Sequence, residues 1–245
     1  MKPFLILQLR PNDAAADGEF YAMLKYGGLE EKDVRRVRME LEGVPDVNLD
    51  DYSGVLVGGG PMDISNPEEK KSDEQKRFEK ELQALLDKIV EADFPYLGCC
   101  FGLSALSIHE GGVVSKEKYA EGVEAAQIIL NEEGKKDKLT EGLPETFRAF
   151  AGHKESCQDL APGAVLLASS PDCPIHMIRV KNNVYGTQFH TELDIPVMLG
   201  RLEIYKDAGY FPPEEAPALM EKAKQEEVTV PMEILKRFVD TYKRD

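Results

Sequence analysis

The chain has 245 residues, 42% of them hydrophobic, with 10 Phe and 9 Tyr, and 45 Asp and Glu against 30 Lys and Arg give a formal net charge of −15. That apolar content is enough to bury a core, which excludes a disordered acidic tail. The excess negative charge argues against nucleic acid or an anionic membrane as a partner, since binding phosphates takes Lys and Arg.

The apolar run Phe4 to Leu9 reads as a buried strand. It contains Gln8 and stops at Arg10, too short for a secretory h-region or for the ~20 residues of a membrane span. Asp13 to Gly28 reads as helix or loop, and Val34 to Met39 as a half-buried strand of alternating Val and Arg. Tyr52 to Val57 is a further strand that runs into Gly58, Gly59, Gly60 and Pro61, a turn whose backbone can approach another group closely. No Lys-Ser/Thr follows these glycines, so they are not a phosphate loop.

Ser72 with Gln75 three residues on fits a capping box, and Phe78, Leu82, Leu85 and Ile89 share one face, which predicts a helix over Asp73 to Ala92. Its charged remainder is a solvated face. Phe94 to Cys99 is a short apolar strand, followed by helix over Leu103 to His109. Strands follow at Gln127 to Leu130, Val165 to Ala168, His176 to Val180 and Val184 to Phe189. Helices beginning with proline follow at Pro196 to Tyr205, Pro213 to Gln225 and Pro231 to Tyr242. The fold class is therefore α/β, with a mostly parallel central sheet, a small antiparallel portion and a C-terminal helical tail. Residues 1–193 form the main domain, and 194–245 a helical extension packed on it as structure rather than as a lid.

The four cysteines, Cys99, Cys100, Cys157 and Cys173, match neither a disulfide framework nor a CxxC metal site. A reducing cytoplasm is expected, with no metal and no cofactor. The flanking residues decide which thiol works: Gly-x-Cys-x-Gly places small residues Gly98 and Gly102 around Cys100, whereas Cys99 would be flanked by Leu97 and Phe101. A nucleophile elbow between strand and helix needs the small flanks, so Cys100 is the expected nucleophile. The helix that follows is expected to lower its pKa. His190 closes a strand at the edge where an open α/β sheet binds ligands, and Glu192 can orient it. The N–H groups of Gly60 and Phe101 are the candidate oxyanion donors. A redox role for vicinal Cys99 and Cys100 is disfavoured, because adjacent cysteines bridge only with backbone distortion.

Gly59-Gly60-Pro61, then Pro95-Tyr96-Leu97-Gly98-Cys99-Cys100-Phe101-Gly102, then Gln188-Phe189-His190-Thr191-Glu192 together resemble the class I glutamine amidotransferases of the triad type, over roughly residues 4 to 193. The resemblance implies a flavodoxin-like three-layer domain, with Cys100 as nucleophile, His190 as base and Glu192 as its partner. It is closest to stand-alone GMP-synthetase-like members, in which the place of Phe150 to Ser156 is a loop lining the glutamine pocket. Substrate contacts are thereby implied for Gly59, Gly102, Ser104, His153 and Glu155. Three positions depart from the family: Leu103-Ser104 replaces a His-Gln pair whose Gln holds glutamine, and Thr191 replaces a Pro.

The expected reaction is cleavage of a side-chain amide, of glutamine or a γ-glutamyl compound, through a γ-glutamyl thioester. The released ammonia would go to a synthetase or acceptor protein on another chain, since 245 residues leave no room for a synthetic domain. The alternatives are a stand-alone γ-glutamyl peptide hydrolase and a catalytically weak regulatory or binding protein.

Overall fold

Phe4 to Gln8 is buried on both faces, and this five-residue strand, β1, becomes the second strand of a nine-stranded sheet. In the computed structural model, residues 1–207 and 209–245 are described; position 208, inside the predicted helical tail, lies outside the described residues. The other strands are β2 (Val34–Arg38), β3 (Gly54–Val57), β4 (Tyr96–Cys99), β5 (Val113–Ser115), β6 (Glu121–Leu130), β7 (Thr146–His153), β8 (Ser156–Asp159), β9 (Val165–Ser169), β10 (Met177–Val180) and β11 (Val184–Thr187). The sheet order is β2-β1-β3-β4-β11-β10-β9-β6-β7. The first five strands of that order run parallel, and β10, β9, β6 and β7 extend them antiparallel. β5 and β8 pair separately.

The helices are α1 (Asp13–Gly27), α2 (Met39–Glu42), α3 (Asp73–Glu91), α4 (Phe101–His109), α5 (Ile195–Ile204), α6 (Ala216–Lys224) and α7 (Val230–Tyr242). Alternation along β1 sorts the core into two layers, because successive strand residues point to opposite faces. Leu5 and Leu7 join Phe78, Leu82 and Phe101 of α3 and α4, whereas Phe4 and Ile6 join Phe20 and Met23 of α1 and Leu235 and Phe238 of α7. Phe4 and Phe238 rings lie 6.3 Å apart, so the last helix is part of this core. A third cluster joins Phe150 of β7 to Met198 and Leu202 of α5, Ala223 of α6 and Met232.

Local chemistry sets the helix starts. The Asn12 side chain accepts from Ala15 N at 3.1 Å, and Gly28, with φ 67°, ends α1 in the left-handed conformation. Ser72 accepts from Gln75 N at 3.1 Å, but the Gln75 amide donates to Asp63 O and Glu79 rather than reaching back, so only half of the expected capping box forms.

Two features of the antiparallel part differ from the sequence reading. β6 begins at Glu121, six residues before the expected strand, and β7 occupies a stretch where the sequence predicts no strand. Phe150 to Ser156 is consequently no single loop: Phe150 to His153 lie in β7, Ser156 starts β8, and only Lys154 and Glu155 form the connection. Ala149, Ala151 and Gly152 have low strand propensity, and pairing with β6 overrides it. Among the described residues, no helix is long and apolar enough to cross a membrane.

Candidate active site

The carboxyl ends of β1, β3, β4 and β11 lie side by side, and each delivers one part of the site. Tyr96 to Cys99 is apolar enough to be a central strand, and the chain must then turn sharply to start α4. Cys100 takes that turn with φ 52° and ψ −99°, a strained conformation for a residue with a Cβ. Its N–H donates to Thr187 O at 2.7 Å, and its carbonyl accepts from Ser104 N at 3.0 Å, so both neighbouring elements hold the turn. A Cβ on Gly98 would lie 2.5 Å from Tyr96 Oη and 2.7 Å from the Gly102 carbonyl carbon, which explains why the flank is bare.

β11 leads into Gln188 and Phe189 and then to His190, which is buried, as are Thr191 and Glu192. His190 Nδ1 lies 2.9 Å from Glu192 Oε1 and 3.2 Å from Arg201 Nη1. A carboxylate only accepts and a guanidinium only donates, so Nδ1 satisfies one of them at a time. With the proton on Nδ1, the shorter contact to Glu192 is a hydrogen bond and Nε2 keeps its lone pair. Arg201 also donates to Glu192 Oε1 at 2.9 Å and to Glu19 Oε2 at 3.0 Å, and Arg10 donates to the same Glu19 oxygen at 3.0 Å. The result is a buried row of alternating charge, Arg10, Glu19, Arg201, Glu192 and His190. Glu19, His190 and Glu192 could by geometry hold a metal. The two guanidiniums already neutralise both carboxylates, which removes the need for one.

The electrostatics fit a neutral pair at rest. Burial lowers the His190 pKa, Glu192 opposes that, and Arg201 and Arg10 lower it further. Burial pushes the Cys100 thiol up to about 11, with Arg10 and the Phe101 N–H pulling the other way and Glu155 adding to the rise. The sequence expectation of a thiolate stabilised by the helix N-terminus is therefore corrected: desolvation outweighs the end of α4.

Cys100, His190, Gly60, Arg10 and Arg201 line one cavity of about 50 Å³ together with Met198, Tyr205, Tyr210 and Phe211. Among the described residues the Cys100 thiol makes no hydrogen bond to His190; the two share this lining. The tail expected to be purely structural thus forms one wall over the thiol. A second, smaller cavity of about 20 Å³ adjoins Gly60, Cys100, Phe101, Ser104 and Glu155.

Ser104, His153 and Glu155, among the other sequence candidates, line this second cavity with Cys100. Gly59 faces the imidazole, where a Cβ would lie 2.5 Å from His190 Cε1. Gly102 packs under the elbow, its carbonyl accepting from Tyr96 Oη at 2.9 Å. Glu155 accepts from Ile64 N and Ser65 N at 3.1 and 2.9 Å, tying the loop after Pro61 to the β7–β8 connection. His153 has both ring nitrogens engaged, with Glu155 O and with Glu121, leaving none for a substrate. Cys99 is buried and its thiol lies 3.2 Å from the Thr191 hydroxyl, a polar pair that accounts for threonine at this position. Arg10, Glu19 and Arg201 escape the sequence reading, because they lie in the connection after β1, in α1 and in α5 with no motif around them.

A family profile described as glutamine amidotransferase class-I matches residues 21–196. The chain is 31% identical over 142 residues to a glutamine-hydrolyzing GMP synthase of Thermosipho africanus, an alignment covering 58% of this chain and 24% of that protein. It therefore spans about a quarter of that relative's length. It is 29% identical over 171 residues to a subunit of the glutamine-hydrolyzing GMP synthase of Pyrococcus abyssi, covering 69% and 80% of the two chains. In fold it is similar to a glutamine amidotransferase of Thermotoga maritima, with a TM-score of 0.79 at 20% identity, covering 98% and 99% of the two chains.

Proposed function

The chain belongs to the class I glutamine amidotransferases, and we propose that it hydrolyses a glutamine-type side-chain amide with Cys100, His190 and Glu192. The observation that carries this reading is the shared cavity, which brings a strained cysteine elbow and a buried His–Glu pair to one edge of the sheet.

In this mechanism His190 Nε2 accepts the Cys100 thiol proton as sulfur attacks the amide carbon. Glu192 stabilises the resulting imidazolium, and the N–H groups of Gly60 and Phe101 receive the oxyanion. The imidazolium returns its proton to the leaving nitrogen, releasing ammonia and leaving a γ-glutamyl thioester. Water activated by His190 then attacks the thioester, giving glutamate and the free thiol. A thiol at about 11 and a depressed imidazole mean that the proton moves only as attack proceeds.

Tyr205, Tyr210 and Phe211 border the same cavity as Cys100, so the tail takes part in shaping the place where the substrate would sit. The Pyrococcus abyssi relative is by name one subunit of its synthase, which supports delivery of the ammonia to a synthetase on another chain, in a reducing cytoplasm that suits four free thiols. A second reading, hydrolysis of γ-glutamyl peptides, is favoured by Ser104, whose short side chain leaves room where relatives of the family carry a longer amide.

The test is ammonia and glutamate release from glutamine, compared with turnover of γ-glutamyl dipeptides, by the native protein and Cys100→Ala. Loss of all turnover in the variant is the expected result. Unchanged turnover would overturn the mechanism, and the substrate ratio decides between the two readings.

A further inference from the structure

Next to the smaller cavity bordered by Cys100, four side chains from three stretches of the chain converge. Glu121 Oε2 lies 2.8 Å from His153 Nε2 and 2.7 Å from His176 Nε2, and with the Cys173 thiol these ligand atoms lie within 4.8 Å of one another. His153, Cys173 and His176 are buried. Cys173 and His176 stand in a Cys-x-x-His spacing, which suits two ligands of one ion.

Hydrogen-bond accounting at His153 leaves a mismatch. Its Nδ1 lies 3.0 Å from the Glu155 carbonyl oxygen, which only accepts, so Nδ1 carries a proton. The Nε2 of a neutral ring is then a lone pair, aimed from 2.8 Å at a carboxylate oxygen that is also an acceptor. A positive centre has to lie between them, either a second ring proton or a metal ion. An imidazole that ligates a metal through one nitrogen and donates from the other to a backbone carbonyl is the usual arrangement in metal sites.

The surroundings favour the metal. The Ser170 hydroxyl donates to Glu121 Oε1 at 2.7 Å and accepts from Cys173 N at 2.9 Å, orienting two ligands through one side chain. One thiolate and one carboxylate neutralise a dication, so the filled site would carry no net charge into the interior. At rest His176 Nε2 carries the ring proton towards the Glu121 carboxylate, and its Nδ1 has no partner among the described residues, so the proton can shift to Nδ1 when Nε2 takes a metal. Glu121 and Ser170 also border an open cleft of about 490 Å³, lined as well by Glu124, Asp172, Arg148 and Lys222, which leads from solvent to the cluster.

The geometry points to a buried Zn²⁺-type site formed by Glu121, His153, Cys173 and His176. Two imidazoles, a thiolate and a carboxylate are the donor set of a borderline-soft divalent ion rather than of Mg²⁺ or Ca²⁺. Tetrahedral Zn²⁺ with ~2.0 Å bonds spaces N and O ligands ~3.3 Å apart, so the Glu121 contacts open by roughly half an ångström on binding. Binding displaces the proton of the Cys173 thiol and the Nε2 proton of the His153 imidazolium, while the His176 ring proton moves from Nε2 to the unpartnered Nδ1. The ion would staple β6, β7 and the turn before β10. The His176 carbonyl also accepts from Gln188 N at 2.8 Å, two residues before His190.

The test uses the full chain, stripped with chelator and titrated with Co²⁺ and Zn²⁺. One equivalent of Co²⁺ is expected to give tetrahedral d–d bands and a thiolate-to-cobalt charge-transfer band that Zn²⁺ displaces. Cys173→Ser is expected to abolish the charge-transfer band, and Ser170→Ala to weaken Zn²⁺ binding by roughly 10–100-fold. Cys100→Ala is expected to leave both the band and the affinity unchanged. The inference is overturned if the native chain shows no stoichiometric Co²⁺ spectrum, or if the band survives Cys173→Ser. Should Cys173→Ser fail to melt cooperatively, Ser170→Ala decides, and unchanged affinity there counts against the site.

Discussion

A methyl group added at Gly59 should disable the base without disturbing the sheet. In Gly59→Ala the new carbon would lie 2.5 Å from His190 Cε1 and 3.1 Å from both Nε2 and Arg10 Nη2, whereas ordinary contact begins at 3.4 Å. The imidazole therefore has to retreat by about 0.9 Å, and it is not free to do so, because Glu192 holds its other nitrogen at 2.9 Å and Arg201 blocks the way 3.2 Å from the same nitrogen. A misplacement of ~1 Å in a reacting group costs ~100-fold in rate, equivalent to about 2.7 kcal/mol of barrier. Steady-state ammonia release from glutamine should show that loss in kcat, with cooperative melting retained. Gly200→Ala is the control: its Cβ meets nothing within 4 Å, it lies in α5, and alanine there should leave kcat unchanged and add ~0.5–1 kcal/mol of stability. If Gly59→Ala keeps kcat within about threefold of the native value, His190 is not the base this geometry makes it.

Removing the Arg201 charge by Arg201→Met should raise the pKa of His190, since Arg201 helps hold it down. The neutral imidazole is the active form, so the acid limb of kcat/KM should move to higher pH; a limb that stays or moves lower contradicts the charge row. Alkylation of Cys100 by iodoacetamide should keep accelerating above pH 9, because its thiol stands at about 11; a plateau near neutrality would mean a resting thiolate. Phe211→Ala opens the wall of the cavity and should raise kcat/KM for γ-glutamyl dipeptides several-fold relative to glutamine, as measured by competition between the two substrates. Thr191→Val removes the partner of the buried Cys99 thiol and should cost about 1 kcal/mol, or ~2–4 °C in Tm by calorimetry, with kcat little changed.

The parallel half of the fold and the parts of the site it carries could be read from the sequence because they are locally encoded. Apolar runs end in glycine turns, the helix over Asp73–Glu91 announces itself by period and cap, and the flanks of Cys100 must be small. What was not legible depends on residues distant in the chain. β7 is held as a strand by pairing with β6 despite its alanines and glycine. Arg201 reaches Glu19 across 182 positions, and Glu121 reaches His176 across 55. The thiol's pKa departs from the sequence expectation for the same reason: the helix terminus is visible in sequence, whereas burial is a property of the assembled site. The wall formed by Tyr205, Tyr210 and Phe211 likewise exists only once the tail has packed against the edge of the sheet.

The central claim, that Cys100 is the nucleophile of a glutamine-shaped site, is tested most directly by labelling with the glutamine-analogue electrophile diazo-oxo-norleucine and mapping the adduct by mass spectrometry. One adduct per chain at Cys100, protected by glutamine and formed far more slowly in His190→Ala, is the predicted result. Adducts at Cys99, Cys157 or Cys173 in place of Cys100, or no adduct under conditions that modify the thiol with iodoacetamide, would contradict it.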